Sequence, residues 1–370
     1  MTAPAWFFVA VAWMPMQDDP AVQLVRQLGH PSYTQREAAV EELMAFGAAA
    51  RPAVQEGTAD EDPEIRVRCE ALLPVLARLD LERRIQLFEA EPDNPKHQKL
   101  PGWKRFTQLT SSPEDRKLYI RLLRRHGVLF EQIEQQPRIA PELYLEYCQQ
   151  FALKRRVVVP RVPPSEPNLT DSDDLADVIA FFFLGADPAT RSGDLPYTQS
   201  SAVLRFPAFT RGIARKDETA LRKWFVEWAD QQTLLTIQTR VLSLANTADI
   251  EEMLPYALAK VADEKAQPRL RGQAALTVGI HGTIKDLPVL EACFADNAVL
   301  FPAIANQKRG EVQLRDVMLA MALRIRNESL DNFGFATPPN TLVVTTSYYQ
   351  LGFSSEEARE SAFEKYRALK

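Results

Sequence analysis

The sequence predicts an all-α protein of stacked helical repeats, arranged in two halves, on three observations. The segment Arg36-Glu-Ala-Ala-Val-Glu-Glu-Leu is followed 30 residues later by Arg66-Val-Arg-Cys-Glu-Ala-Leu-Leu. The same order returns at Arg271 and Arg315: an arginine, a small or soft residue three positions later and an apolar residue seven positions later. Helix-start signals stand just before the first two segments. A fixed period of this length is typical of helical pairs that bury their apolar faces against their neighbours.

In every repeat segment the same three positions lie on one face of a helix. The arginine and the residues three and seven positions later line up, because a helix has about 3.6 residues per turn. Ala39, Cys69 and Ala274 hold the middle position, where we expect two helices to approach closely. The third and fourth segments are 44 residues apart, which predicts an insertion of about 14 residues at 297–307.

Four local signals predict where helices begin. Ser or Thr with Glu three residues later forms a capping box, and proline suits the first helical position after an N-cap. The signals are Thr34 with Glu37, Asp62 with Pro63, Ser112 with Pro113, and Ser354 with Glu357. The last of these predicts a capping helix at the end of the chain.

Composition divides the chain into domains. Residues 19–154 and 171–335 are predicted N-terminal and C-terminal helical domains. The linker 155–170 between them carries four prolines, which cannot sustain a helix. Residues 336–370 are a predicted cap over the apolar end of the stack. Within this cap, 342–349 is rich in β-branched and aromatic residues, which predicts a short extended segment before the capping helix.

Residues 1–18 have the character of a signal peptide. Ala5–Val11 is apolar, and Ala10 and Ala12 are the small residues that a signal peptidase reads. This predicts a periplasmic or secreted protein. Because no Lys or Arg precedes Arg26, two alternatives stay open: a misplaced start codon, or a buried first helix in a cytoplasmic protein. No other segment has the length of a membrane span, so none is predicted in the mature chain.

Composition and charge narrow the function classes. The chain has 370 residues, 46% hydrophobic and 25% charged, which is typical of a folded globular protein and not of a disordered one. The formal net charge of −5 excludes a general attraction to nucleic acid or to anionic membrane surfaces. A local basic surface is still compatible with this negative net charge.

Motifs for catalysis and cofactor binding are missing from the sequence. It has no G-x-G-x-x-G, no phosphate-binding loop, no H-E-x-x-H and no G-x-S-x-G. Its three cysteines stand far apart, so we expect structural thiols. His126 and His281 each precede a glycine and are predicted to lie at helix ends, where a cation complements the helix dipole. We therefore expect no catalytic residue, no cofactor and no metal site.

One basic segment is a candidate surface for an anion or a partner. Residues 99–125 contain eight cations against two acidic residues. Four of the cations fall in one sector of a predicted helix: Lys117, Arg121, Arg124 and Arg125. The aromatic residues nearby are Trp103, Phe106 and Tyr119. Cations with interleaved aromatics can hold a phosphate backbone. The alternative is a solvated helix face whose cations pair with acidic neighbours and whose aromatics belong to the core.

Further segments match a known family as an ordered series. They are Leu100–Phe106, Asp173–Val178, Leu287–Leu290, Gln313–Ala320, Asn332–Phe335 and Leu351–Phe353. With the four repeat segments, they make most of residues 20–370 resemble an exported bacterial HEAT-repeat protein family of unassigned function. The resemblance implies an α-solenoid of HEAT-like helical pairs and an exported location. It brings no catalytic residues.

Two hypotheses of function stand. The first is a noncatalytic interaction or scaffold module that presents a helical surface to a protein partner of unknown identity. The alternative is a nucleic-acid-binding HEAT-like protein, similar to a DNA glycosylase, that uses the basic helix face. The acidic net charge and the predicted export favour the first, so nucleic acid is not the expected partner.

Overall fold

The computed structural model describes residues 19–110, 112–154, 169–191, 197–305, 308–335 and 348–369. These ranges are mostly α-helical, as predicted, and their β-structure is a two-stranded sheet. None of the helices in these ranges combines the length and the apolar character of a bilayer-spanning segment. The predicted signal peptide, residues 155–168 of the predicted linker and most of the predicted extended segment lie outside the described residues.

The chain forms two compact units, Met1–Pro101 and Gly102–Lys370. The domain boundaries predicted at 155–170 and at 335–336 stay predictions. In the first unit the described helices are α1 (Pro20–Gln27), α2 (Tyr33–Phe46), α3 (Arg51–Gly57) and α4 (Pro63–Ala90).

The 30-residue period of the sequence appears in the first unit as a repeated hydrogen-bond pattern. Arg36 donates to the carbonyls of His30 at 2.8 Å and Pro31 at 3.2 Å. Arg66 donates to the carbonyls six and five residues before it, at 2.7 and 2.9 Å. Each arginine is the fourth residue of its helix and binds the turn that leads into it. It thereby satisfies carbonyl groups that lie outside the helix.

The small position of the repeat is a point of close helix approach, as predicted. A Cβ atom added to Gly57 on α3 would lie 2.5 Å from Sγ of Cys69 on α4. Ala39 on α2 is buried in the same apolar cluster. Ala274 is buried in the second unit.

Helix α4 has two buried faces. Its first half buries Ile65, Cys69, Leu72 and Leu76, and its second half buries Ala77, Leu81, Ile85 and Phe88. At 100° per residue the centres of the two sets lie about 140° apart around the helix axis. The helix runs on through Pro74, which is exposed. A third side of α4 therefore faces solvent between the two buried faces.

The second unit contains the remaining described elements. Its helices are α5 (Trp103–Leu109), α6 (Pro113–Gln135), α7 (Ala140–Lys154), α8 (Leu169–Gly185), α9 (Tyr197–Val203), α10 (Pro207–Ile213), α11 (Thr219–Asp230), α12 (Leu235–Thr247), α13 (Leu254–Ala262), α14 (Pro268–His281), α15 (Leu287–Glu291), α16 (Leu314–Ile325) and α17 (Glu356–Ala368). Strands β1 (Val299–Ala305) and β2 (Lys308–Gln313) pair antiparallel, with Val299 opposite Gln313.

Helix α8 is the centre of one core of the second unit. It packs against α6, α7, α10 and α11. Phe181, Phe182 and Phe183 are fully buried there, with the ring of Phe183 4.8 Å from Trp224 and that of Phe182 5.1 Å from Trp228. Aromatic pairs at such distances add stability beyond the area that they bury.

Helix α14 is the centre of a second core in this unit. It packs against α12, α13 and α16, and every residue from Leu270 to Gly279 is buried. A helix enclosed on all sides needs small residues where its neighbours come close. Gly279 is such a position, because an added Cβ atom would overlap the side chain of Met321 on α16.

Two of the predicted helix starts are confirmed. The Asp62 side chain accepts a hydrogen bond from the backbone N–H of Glu64 at 2.8 Å, with Pro63 at the first helical position. Ser112 and Asp115 form a complete capping box at the start of α6. Both sites lie directly before a proline, which fixes where the helix begins.

Two other predicted starts are displaced. Helix α2 begins at Tyr33, so Thr34 lies inside the helix and is not its N-cap. Ser355, not Ser354, caps α17 by accepting a hydrogen bond from Ala358 N–H at 3.2 Å. At α17 two adjacent serines offer equivalent hydroxyl groups, and the sequence alone does not decide between them. At α2 the N-cap position is Ser32, whose side chain makes no capping hydrogen bond.

The insertion predicted at 297–307 is the β1–β2 hairpin, which joins α15 to α16. The predicted range contains β1 but ends before β2, and the β-structure was not predicted. The register shifts between Val299 and Phe301, where Phe301 lies opposite Val312. Glu311 on β2 also bridges to Phe353, which ties the hairpin to the segment before α17.

We predict that Ala39→Glu lowers the free energy of unfolding by roughly 3 kcal/mol or more, because it places an unpaired carboxylate in the buried cluster of α2. Ala38→Glu is the matched control, since Ala38 is the exposed neighbour on the same helix. Thermal denaturation followed by circular dichroism measures both. Equal midpoints for the two variants would show that position 39 does not face the core.

Candidate functional site

The four cations predicted as a site all lie on α6. Lys117, Arg121 and Arg124 are exposed, and their spacing of four and three residues places them on one side of the helix. Lys117 Nζ lies 3.1 Å from Glu114 Oε1. Burial raises the pKa of Glu218, and the nearby charges of Arg215 and Arg121 oppose that rise. Arg124 also has an interaction within the protein. The positive charge of this face is therefore partly offset by the protein itself.

Arg125 is an exposed residue that pairs with a buried carboxylate on α8. Its guanidinium donates from Nε and Nη2 to the two carboxylate oxygens of Asp177, with Nη2 2.9 Å from Oδ2. His126 Nε2 lies 2.8 Å from Asp177 Oδ1, and only 2% of the Asp177 side chain is exposed. Tyr147 donates to the Asp177 backbone carbonyl at 2.8 Å. The structure thus ties Arg125 to α8, where the Asp177 carboxylate offsets its charge.

The aromatic residues near the basic segment belong to the core. Phe106 and Tyr119 are buried, with ring centroids 5.0 Å apart. The ring of Trp103 lies 4.9 Å from that of Tyr119. None of these three rings is therefore arranged as an open stacking platform for bases. This matches the alternative interpretation of the segment as a solvated helix face over a core.

An exposed apolar stripe lies on α4, and the sequence analysis missed it. Val67, Val75 and Leu79 are 62%, 42% and 45% exposed, and Ala71 between them is also exposed. The four residues are spaced four apart, so the stripe extends for about 18 Å while it winds through about 120° around the helix axis. Contiguous apolar surface of this kind marks interaction sites more often than scattered single residues do. The four-residue spacing of these apolar residues is visible in the sequence, but it overlaps the stronger pattern of the repeat segment that begins at Arg66.

Other buried charges serve the fold. Three pairs join separate segments: Arg222 with Glu252, Arg271 with Asp296, and Arg359 with Asp316. Burial raises the pKa of Asp316, and the hydrogen bond from Arg359 opposes this rise. Each of the three arginines also donates to backbone carbonyls, as Arg271 does to Val261 at 3.1 Å. These pairs are therefore part of helix packing.

The two histidines predicted at helix ends differ in outcome. His126 lies within α6, which continues past the buried Gly127 to Gln135, so that prediction is wrong. Glycine weakens a helix but does not stop one that is held by packing on both sides. His281 is the last residue of α14, as predicted. Burial lowers the pKa of His281. The environment of the ring therefore disfavours its protonated form, which is the form that would complement the helix dipole.

The three cysteines lie in environments that are typical of structural thiols. Cys69, Cys148 and Cys293 are buried and form no disulfide. Burial raises the pKa of the Cys69 thiol to about 11, which suppresses the reactive thiolate. Within the described ranges, no three acidic, histidine or cysteine side chains come together as a potential metal-binding group.

Comparisons with protein-family models, with curated proteins and with solved structures found no match for this chain. The resemblance to exported HEAT-repeat proteins therefore stays an expectation. Function has to be argued from the surfaces and clusters of this chain.

We predict that Asp177→Ala lowers the free energy of unfolding by about 3 kcal/mol or more, because it leaves Arg125 and His126 without their buried partner. Glu114→Ala is the control, since it also removes an acidic partner of an α6 cation but at an exposed pair. Its effect should stay below about 1 kcal/mol. Urea denaturation measures both. Equal effects would contradict a structural role for Asp177.

We also predict a pH dependence of stability that comes from His281. Burial lowers the folded-state pKa of His281 below the ordinary value of 6.5, although Asp249, Glu251 and Glu252 oppose the shift. Protonation therefore favours the unfolded state, and the stability that the neutral ring contributes is lost as the pH falls below 6.5. His281→Gln should flatten the decline in unfolding free energy between about pH 7 and pH 5. Parallel urea titrations measure the two slopes, and identical slopes would contradict the prediction.

Proposed function

We propose that this chain is a noncatalytic interaction module that docks a protein partner on an exposed helical surface. The observation that carries the proposal is the apolar stripe of Val67, Ala71, Val75 and Leu79 on α4. These side chains face water in the isolated chain, so covering them is favourable by the hydrophobic effect. A partner helix with apolar residues on one face matches a stripe of this spacing and length.

The polar clusters support a binding role. The buried carboxylate of Asp177 is held by Arg125 and His126, and that of Asp316 by Arg359. Acids fixed in such pairs stabilise the packing of helices and are not available to take a proton from a substrate. The apolar side chains of the stripe on α4, in contrast, are exposed in the part of the first unit that the structure describes.

The nucleic-acid alternative has weaker support. A phosphate-binding face needs cations whose charge is not already offset. Lys117 and Arg125 lie beside Glu114 and Asp177, and the aromatic rings near them are part of the core. The net charge of −5 adds a general repulsion of polyanions.

We extend the proposal to architecture and location. The equivalent bonds of Arg36 and Arg66 support helical pairs repeated along a HEAT-like α-solenoid. The apolar segment within residues 1–18 supports export to the periplasm or the medium, where the partner would be met.

We predict that Val75→Glu/Leu79→Glu abolishes partner capture without unfolding the chain, because both side chains are exposed. Ser361→Glu/Ala368→Glu, at exposed positions of α17, is the control with the same change of charge. Each protein serves as bait for the envelope fraction. A protein that the wild type and control retain is then purified, and its affinity for the stripe variant should fall at least about tenfold per residue.

Two results would overturn the proposal. One is that no captured protein distinguishes the stripe variant from the control. The other is duplex DNA binding that weakens steeply with salt and is lost in Arg121→Gln/Arg124→Gln, which would favour the nucleic-acid alternative.

A further inference from the structure

A polar cleft of about 490 Å³ opens in the second unit beside α9, α12 and α14. Ser201 and Arg205 lie at the end of α9 and just beyond it, Thr236, Arg240 and Ser243 lie along α12, and the floor includes Gln273 of α14. Thr236, Arg240 and Ser243 are four and three residues apart, so they share one side of α12. The sequence analysis did not single out any of these residues.

The cleft carries two positive charges that the described protein does not neutralise. Arg205 and Arg240 are exposed, and neither forms an ion pair within the described residues. The lining contains no Asp or Glu. In contrast, Arg222, Arg271 and Arg359 all have an acidic partner. The cleft is thus locally positive in a chain whose net charge is −5.

The cleft also holds hydrogen-bond donors without an acceptor. Gln273 is only 8% exposed, and its Nε2 atom has no hydrogen-bond partner. The hydroxyl groups of Ser201, Thr236 and Ser243 make no hydrogen bond to the rest of the described chain. The Gln273 Nε2 atom has almost no exposed surface, so the donors open to a ligand in the cleft are the two guanidinium groups and the three hydroxyl groups.

We propose that this cleft binds a phosphoryl group, supplied by a small phosphomonoester or by free phosphate. Two guanidinium groups match its two negative charges and its several oxygen atoms. The hydroxyl groups of Ser201, Thr236 and Ser243 add neutral donors. A carboxylate has one charge and two oxygen atoms, so it would leave much of this donor set unused.

The remaining lining favours an organic phosphomonoester over free phosphate. Leu204 and Ile237 are apolar and buried, and Tyr349 presents an aromatic ring. The cleft volume lies in the usual range for small-molecule sites. The lining holds no carboxylate, imidazole or thiol that could accept a proton, so the ligand is bound and not turned over. This proposal is independent of the protein-docking stripe, which lies in the other unit.

Isothermal titration calorimetry of the full chain with phenyl phosphate, inorganic phosphate and benzoate tests the proposal. We expect phenyl phosphate to bind at least about tenfold more tightly than benzoate. Arg205→Gln/Arg240→Gln should weaken phenyl phosphate binding roughly 100-fold, because it removes both charged donors. Arg138→Gln/Arg367→Gln, at exposed positions elsewhere, loses the same charge and should bind as the wild type does.

The thermal midpoint should be the same for the two double arginine variants, since Arg205 and Arg240 are exposed and form no ion pair in the described chain. Tighter binding of phenyl phosphate than of inorganic phosphate supports an organic ester as the source, and equal binding supports free phosphate. Three results would overturn the proposal: no phosphate binding at millimolar concentration, equal affinity for benzoate, or an unchanged affinity in the Arg205→Gln/Arg240→Gln variant.

Discussion

The fold depends on arginine side chains that satisfy carbonyl groups in the turns between helices. Arg36 and Arg66 do this in the first unit, each from the fourth residue of its helix. In the second unit Arg222 donates to the carbonyls of Ala248 and Asp249 at 2.9 and 2.8 Å. The carbonyl groups in these part-buried or exposed turns have no helical partner, and each guanidinium supplies them with donors from an adjacent helix. The residue type that makes the repeat visible in the sequence is therefore also the one that holds adjacent helices together.

The sequence was sufficient for features that depend on neighbouring residues. Asp62 and Ser112 were placed correctly as N-caps, because a cap acts within one helical turn and a following proline fixes its position. The same reasoning failed at Ser354, where the adjacent Ser355 offers the same chemistry, and at Thr34, because α2 begins one residue earlier without a side-chain cap. It also failed at His126, because packing of α6 on both sides of Gly127 outweighs the local tendency of glycine to end a helix.

The polar clusters could not be predicted, because their members are far apart in the chain. Arg125 appears in the sequence as part of a basic helix face, but its partner Asp177 is 52 residues away on α8. A charge pattern along one helix contains no information on the acid that another helix brings to it. The same limit applies to the cleft, whose donors come from α9, α12 and α14. The apolar stripe on α4 is different, since its four-residue spacing is local and could have been recognised.

The cleft has a consequence for the energetics of the second unit. Arg205 and Arg240 place two like charges around one opening, and their repulsion has no described acid to offset it. Their positions are fixed instead by the packing beneath them, where Val203, Leu204 and Val241 are buried. An anion in the cleft would supply the opposite charge and accept hydrogen bonds from the two guanidinium groups. A ligand that binds the folded chain alone adds its binding free energy to stability, so a phosphoryl group would stabilise α9 and α12 in their present arrangement.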